Sequence, residues 1–220
     1  MKKNFATILF ISALIISVTA CKDKAKEATT TEAETPATTE TTIDHEAYLV
    51  NTAESTIEWK GFKPTGSHHG TITLERGSFN VANGKIVGGS FIIDMTSIVV
   101  SDIPADDKDN AKLQGHLSSA DFFDVEKYPN ASFTITGLKE VDGKLMLSGN
   151  LSLKETKNNI TFPVTVSNID GALTLTSDAF TIDRSKWNVK YGSKSFFDNL
   201  GDKFINDDIE LKIMVKAAKS

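Results

Sequence analysis

Few side chains in this sequence are equipped for chemistry. His68-His69, His116 and the Asp183-Arg184 pair are the positions where ligation or charge-assisted recognition could occur, and Cys21 is the only thiol. A metal site drawn from His69, His116 and Asp121 or Asp124 would have suitable ligand types. Adjacent strand residues point to opposite faces, however, so His68 and His69 would share an ion only if Gly66 and Gly70 bend the chain. The alternatives are histidines that make hydrogen bonds at a rim or turn, or that donate to the polar head of a ligand. Arg184 offers a similar choice between an ion pair with Asp183 that braces the following loop and a bidentate contact to a head group. Hydrolase elbow, phosphate loop, His-Glu-x-x-His and paired-cysteine patterns do not occur. With no nucleophile or acid–base pair to assign, the chain is expected not to be an enzyme.

Cys21 explains itself by position. Lys2 and Lys3 are followed by a stretch over residues 5–20 that is apolar apart from small Ser and Thr residues. That is the anatomy of a secretory signal peptide, and it is too short to span a bilayer, which takes roughly 20 apolar residues. Val18-Thr19-Ala20-Cys21 resembles a lipobox, in which the cysteine is lipidated and becomes the mature N-terminus. An unpaired cysteine in an exported chain would otherwise be an exposed reactive thiol. Lys22 after the cysteine, rather than Asp, points by analogy to the outer membrane, and Lys22-Asp23 faintly resembles surface-export signals. The expected location is therefore the cell envelope, lipid-anchored, on the periplasmic face or the cell surface.

Residues 22–42 are mainly Thr, Ala, Glu and Lys with Pro36 and no aromatic residue. Such a stretch buries too little apolar surface to offset its ordering entropy, so residues 21–43 read as a lipidated cysteine on a disordered tether reaching about 25 Å. Residues 44–220 fit one domain. The formal charge of −5 becomes −7 without the signal peptide, which carries Lys2 and Lys3 and no acid. A mildly acidic domain without Lys/Arg clusters argues against nucleic acid and against an electrostatic grip on anionic lipid.

The elements that position these residues are strands. Ile57-Glu58-Trp59, Ile72-Thr73-Leu74, residues 145–153, Leu173-Thr174-Leu175 and residues 209–213 alternate apolar with polar or small side chains. Asn83-Gly84, Asp142-Gly143 and Asp170-Gly171 each separate two such runs and supply the positive φ angles of type I′ hairpins. Strands are expected near 46–51, 55–63, 69–81, 85–95, 130–139, 144–154, 159–168, 172–182 and 207–217. Residues 104–128 break the alternation. Asp106 or Asp107 is a candidate N-cap, Ser118 or Ser119 could cap a second turn, and Pro129 stops the segment. The fold class is all-β: an antiparallel up-and-down β-barrel of roughly eight strands with a short helical insertion closing one end. A two-sheet sandwich would give the same strand signals.

Three segments carry a family resemblance. Residues 59–69, the run Leu117-Ser118-Ser119-Ala120-Asp121-Phe122-Phe123-Asp124-Val125-Glu126-Lys127-Tyr128-Pro129, and Asp183-Arg184-Ser185-Lys186-Trp187-Asn188-Val189 together resemble the YceI-like family. The resemblance covers about residues 46–218. It implies a lipocalin-like barrel around a long hydrophobic pore that binds polyisoprenoids. The lipobox and tether depart from many members of the family.

On that reading the apolar faces form the binding surface. Ile57, Trp59, Ile72, Leu74, Phe91, Ile93, Met95, Phe133, Ile135, Phe162 and Val164 are the candidate lining for an isoprenoid-type lipid such as a quinone or polyprenol. His69, His116 and Arg184 are candidate contacts to its polar head. Each buried methylene contributes roughly 0.8 kcal/mol, so a tail can bind without a strong head site. For any single residue, plain core packing is the competing account. The alternative function is a metal- or partner-binding envelope module whose barrel is filled.

Overall fold

The computed structural model describes residues 25–36 and 45–220. The signal peptide and Cys21 lie outside the described residues. The first two strands, β1 (Lys26–Glu27) and β2 (Thr29–Glu32), precede the wall strands β3 (Glu46–Val50), β4 (Thr56–Lys63), β5 (Gly66–Ala82), β6 (Lys85–Val100), β7 (Asn130–Val141), β8 (Lys144–Leu153), β9 (Thr156–Ile169), β10 (Ala172–Ser177), β11 (Phe180–Asp183) and β12 (Asp208–Lys219). Each strand from β4 to β10 pairs antiparallel with the next, except that the connection between β6 and β7 passes through a helix, and β12 joins β10 to β4. This closes an eight-strand ring with a lipocalin-like arrangement. β3 and β4 act as one interrupted strand, since both pair with β5 and β12, and β10 and β11 both pair with β12 in the same way.

The two ends of the ring are built differently. At the turn end, Asn83-Gly84, Asp142-Gly143 and Asp170-Gly171 all have φ between 50° and 79°, as the expected type I′ turns require. At the opposite, cap end, β6 leads into α1 (Lys108–Ser118). The Asp107 carboxylate accepts from the Asp109 N–H at the start of α1, and the Ser119 N–H returns to the His116 carbonyl at its end. Asn110 ties the helix down by donating to the carbonyls of Val100 and Ile103, at 3.0 and 2.7 Å. The other long cap connection, residues 184–207, joins β11 to β12.

The tether expectation needs correcting over residues 25–36. β10 pairs with β9 only from Val164 onward, while β11 stays on β12, so the first half of β9 and the outer side of β11 each have an unpaired edge. β1 runs parallel to β11, with Lys26 opposite Phe180, and β2 runs antiparallel to β9, with Thr29 opposite Thr161 and Glu32 opposite Asn158. Composition correctly shows that a Thr/Glu-rich stretch makes no core. It does not show that backbone groups alone can satisfy an open sheet edge. Ala28 is buried between the two strands, and the Glu34 N–H and carbonyl clasp the Asn150 amide on the barrel's outer face.

Inside the ring, Phe162 stacks on Phe180 at 4.2 Å and Phe79 meets Phe91 edge-on at 4.9 Å. Trp187 is fully buried, and its indole N–H donates to the Leu151 carbonyl at 3.0 Å. Two glycines are fixed by space. A Cβ on Gly149 would come within 2.2 Å of the Phe133 ring, and one on Gly70 within 1.7 Å of the Val99 carbonyl oxygen.

Candidate functional site

The inward faces of the strands do not meet. They enclose a cavity of about 170 Å³ whose wall is apolar apart from Arg184 and Asn206. Ile57, Trp59, Ile72, Leu74, Phe91, Ile93, Met95, Phe133 and Phe162, all expected from the alternation, stand on its wall. Ile135 and Val164 do not. Both are buried, but Ile135 lies against Gly89, and Val164 sits level with Leu145 and Ser177 toward the turn end. The interior there is filled by Val81, Ile86, Leu173 and Ala217, which are buried without lining the open space. The cavity therefore belongs to the cap half of the barrel.

Sequence reasoning missed much of the wall. Leu147, Leu151 and Leu153 of β8 and Ile209, Leu211, Ile213 and Val215 of β12 also line it, and the same period of two marks them. Leu117, Phe122, Phe123 and Ile205 close the cap side. Leu117 comes from the last turn of α1, whereas Phe122, Phe123 and Ile205 come from irregular connections, where no periodicity could have singled them out. Within the wall, the Trp59 indole N–H is buried and has no acceptor among the described residues.

Arg184 is fully buried, and the loop consumes its donors. Nε donates to the Asn206 carbonyl at 3.1 Å, Nη1 to Val189, and Nη2 to Tyr191 and Ile205 at 2.9 and 3.0 Å. The guanidinium also lies 5.2 Å from the Phe122 ring centre. Its acidic partner is Asp207, at 3.5 Å, rather than Asp183, whose carboxylate accepts from the Ser185 N–H and hydroxyl. Burial pulls the Arg184 pKa down, and Asp207 and Asp183 oppose that pull. The structure thus places Arg184 as the brace of residues 184–207, with its fork turned to carbonyls instead of a head group.

The histidines separate. His68 Nδ1 lies 2.8 Å from the Asp102 carboxylate, while exposed His69 meets the same carboxylate through its backbone N–H at 2.9 Å. Burial alone would raise the Asp102 pKa, but the His69 N–H and the His68 imidazole together hold it below the usual carboxylate value. His116 packs its ring edge-on against Tyr191 at 4.5 Å and against Phe122 at 5.9 Å. Among the described residues, no three His, Cys, Asp or Glu side chains gather as a metal site, so His69, His116 and Asp121 or Asp124 are not brought together as ligands.

A closed eight-strand ring with a helical cap and an apolar interior is a recognisable arrangement, and the pattern of the YceI-like domain matches residues 48–217. The chain belongs to the YceI-like family. The proteins named YceI from Salmonella arizonae and Salmonella newport are 42% identical over 60 residues, which is 27% of this chain and 29% of theirs. The matched stretch is thus under a third of those relatives' length. Among solved structures, BcnA from Burkholderia cenocepacia superposes with a TM-score of 0.56 at 21% identity, covering 77% of this chain and 99% of BcnA. A polyisoprenoid-binding domain from Saccharophagus degradans, implicated in plant cell wall breakdown, superposes with a TM-score of 0.57 at 14% identity, covering 80% and 99%. Both similarities are of fold.

Proposed function

We propose that this YceI-like chain is an exported lipoprotein, anchored through Cys21 in the cell envelope at the outer membrane, that carries or stores an isoprenoid lipid in its barrel. The observation that carries the reading is the apolar cavity itself. Interiors are normally packed to crystal density, so open space among Leu, Ile and Phe side chains calls for an occupant. The Saccharophagus degradans domain, described as polyisoprenoid-binding, supports the ligand class through its shared fold. The unpaired Trp59 N–H favours a ligand with an oxygen acceptor, such as a quinone or polyprenol. The open space tells against the alternative, a metal- or partner-binding envelope module whose barrel is filled.

Size sets a condition. A cavity of roughly 150 Å³ takes a benzene-sized guest, so about 170 Å³ holds only a short part of an isoprenoid tail unless side chains yield. Met95 is the adaptable member of the wall and half-buried Phe123 its looser rim. Mass spectrometry of an organic extract should identify a co-purified isoprenoid. Ile93→Trp should displace that lipid while leaving the delipidated barrel about as stable as wild type. Overpacking a solid core would instead cost about 1–3 kcal/mol. Lost stability, with no lipid in wild type, would refute the carrier reading.

A further inference from the structure

The connection at residues 184–207 bears an unusual surface. Tyr191, Phe196 and Phe197 are 46%, 40% and 49% exposed, and they are neighbours on one loop, whereas exposed Leu49, Val87, Val99, Val141 and Ile169 are single positions dispersed over β3, β6, β7 and β9. Lysines accompany the rings. Lys190 Nζ lies 5.0 Å from the Phe196 ring centre and Lys194 Nζ 3.6 Å from that of Phe204. Residues 186–204 carry four lysines against two acids, Asp198 and Asp202, in a chain whose overall charge is −5, and one of the four, Lys186, is paired with Glu27. Aromatic rings interleaved with lysine ammoniums suit the polar–apolar boundary of a bilayer, where the rings enter the headgroup layer and the ammoniums meet phosphates.

The N-terminal strap independently selects the same end. Lys26 is fixed opposite Phe180, which is itself paired with Leu211, and the Glu27 carboxylate holds Lys186 at 3.2 Å, at the start of the aromatic loop. Four residues separate Cys21 from Lys26, and the five steps between them span at most about 18 Å of fully extended chain. Along β12 the cap begins at Asp208, about 10 Å from Leu211, whereas Lys219 at the turn end is about 26 Å away. β1 runs parallel to β11, so the chain before Lys26 leaves on the side away from the cap and has to turn back to bring Cys21 there. The leash is long enough to pass the start of the cap and too short to reach beyond the turn end.

We infer that the loop carrying Tyr191, Phe196 and Phe197 is a membrane-docking rim, seated on the lipid bilayer beside the cap side of the cavity. The inference rests on the Cys21 anchor proposed above. Docking there sets the connections that bound the cavity, Phe122-Phe123 and Ile205, against the bilayer from which an insoluble tail would enter, while the opposite end is filled.

Indole emission from the full, acylated chain can test this. F197W places a reporter on the rim and V141W one at the turn end, where Val141 is 51% exposed. Each would be reconstituted in vesicles of phosphatidylglycerol and brominated phosphatidylcholine, with the wild-type signal from buried Trp59 and Trp187 subtracted. The chain should float with the vesicles, F197W should lose most of its added emission to bromine quenching, and V141W should keep it. Flotation with equal quenching at both sites, or with stronger quenching of V141W, overturns the docking rim and leaves the anchor standing. Failure to float, with Cys21 unmodified by mass spectrometry, removes the anchor and the docking inference with it.

Discussion

The turn end and the cap end of this barrel close the same ring by opposite means. At the turn end, two-residue connections such as Asp142-Gly143 take their shape from local backbone preference, and the side chains beneath them pack solidly. At the cap end, an eleven-residue helix and a loop over residues 184–207 take their shape from contacts distant in sequence, above open space. The local solution leaves little freedom for a ligand. The long-range solution depends on a few buried polar groups, and it leaves room. Open space sits where the closure is least local.

The contrast predicts where substitutions hurt most. Arg184→Ala strips donors from the carbonyls of Val189, Tyr191, Ile205 and Asn206 and empties a fully buried site. It should cost about 3–5 kcal/mol in denaturant unfolding, and Arg184→Lys should recover little because an ammonium cannot span the fork. Hydrogen exchange should show the 184–207 loop losing protection first. An effect no larger than that of a hairpin substitution would mean that the cap is held by something else.

Gly84→Ala is the matching change at the turn end. A Cβ there meets nothing within 4 Å, so only the φ of 73° resists it, and the cost should be about 1 kcal/mol. Lipid content should not change. A drop in co-purified lipid would show that the two ends are coupled.

The smallest effect belongs to Asp102. Its carboxyl sits below its ordinary value of 3.8 in the folded protein, so ionisation favours folding. The contribution is complete above the unfolded-state pKa and is lost as the pH falls through the lower folded value. Asp102→Asn should therefore cost about 0.5 kcal/mol at neutral pH, and the gap from wild type should shrink toward zero in acid, as melts across a pH series would read. A gap that widens in acid would mean that His68 and the His69 N–H do not stabilise the carboxylate.

How much of this was legible in the sequence depends on the range of the forces involved. Strand positions, the three Asn/Asp-Gly hairpins, the helical insertion and most of the cavity wall follow from the period-two pattern and turn chemistry, which act over a few residues. Even Leu151 or Ile213, left out of the expected lining, could have been found by extending that pattern along β8 and β12. The strap could not. Thr29 to Glu32 carry β-branched side chains but no apolar–polar alternation, and they pair only because β10 and β11 part company and leave the edge of β9 open. Arg184 tells the same story: beside Asp183 it reads as a neighbouring ion pair, yet folding returns Asp207 and four carbonyls to it from both ends of the loop. The sequence by itself determined which faces of the wall are apolar, because a strand's pleat sorts side chains residue by residue. Only the tertiary structure decided where the interior stays empty, which edge the N-terminus repairs and where the Arg184 charge is spent, because each depends on chain segments whose distance is set by ring closure.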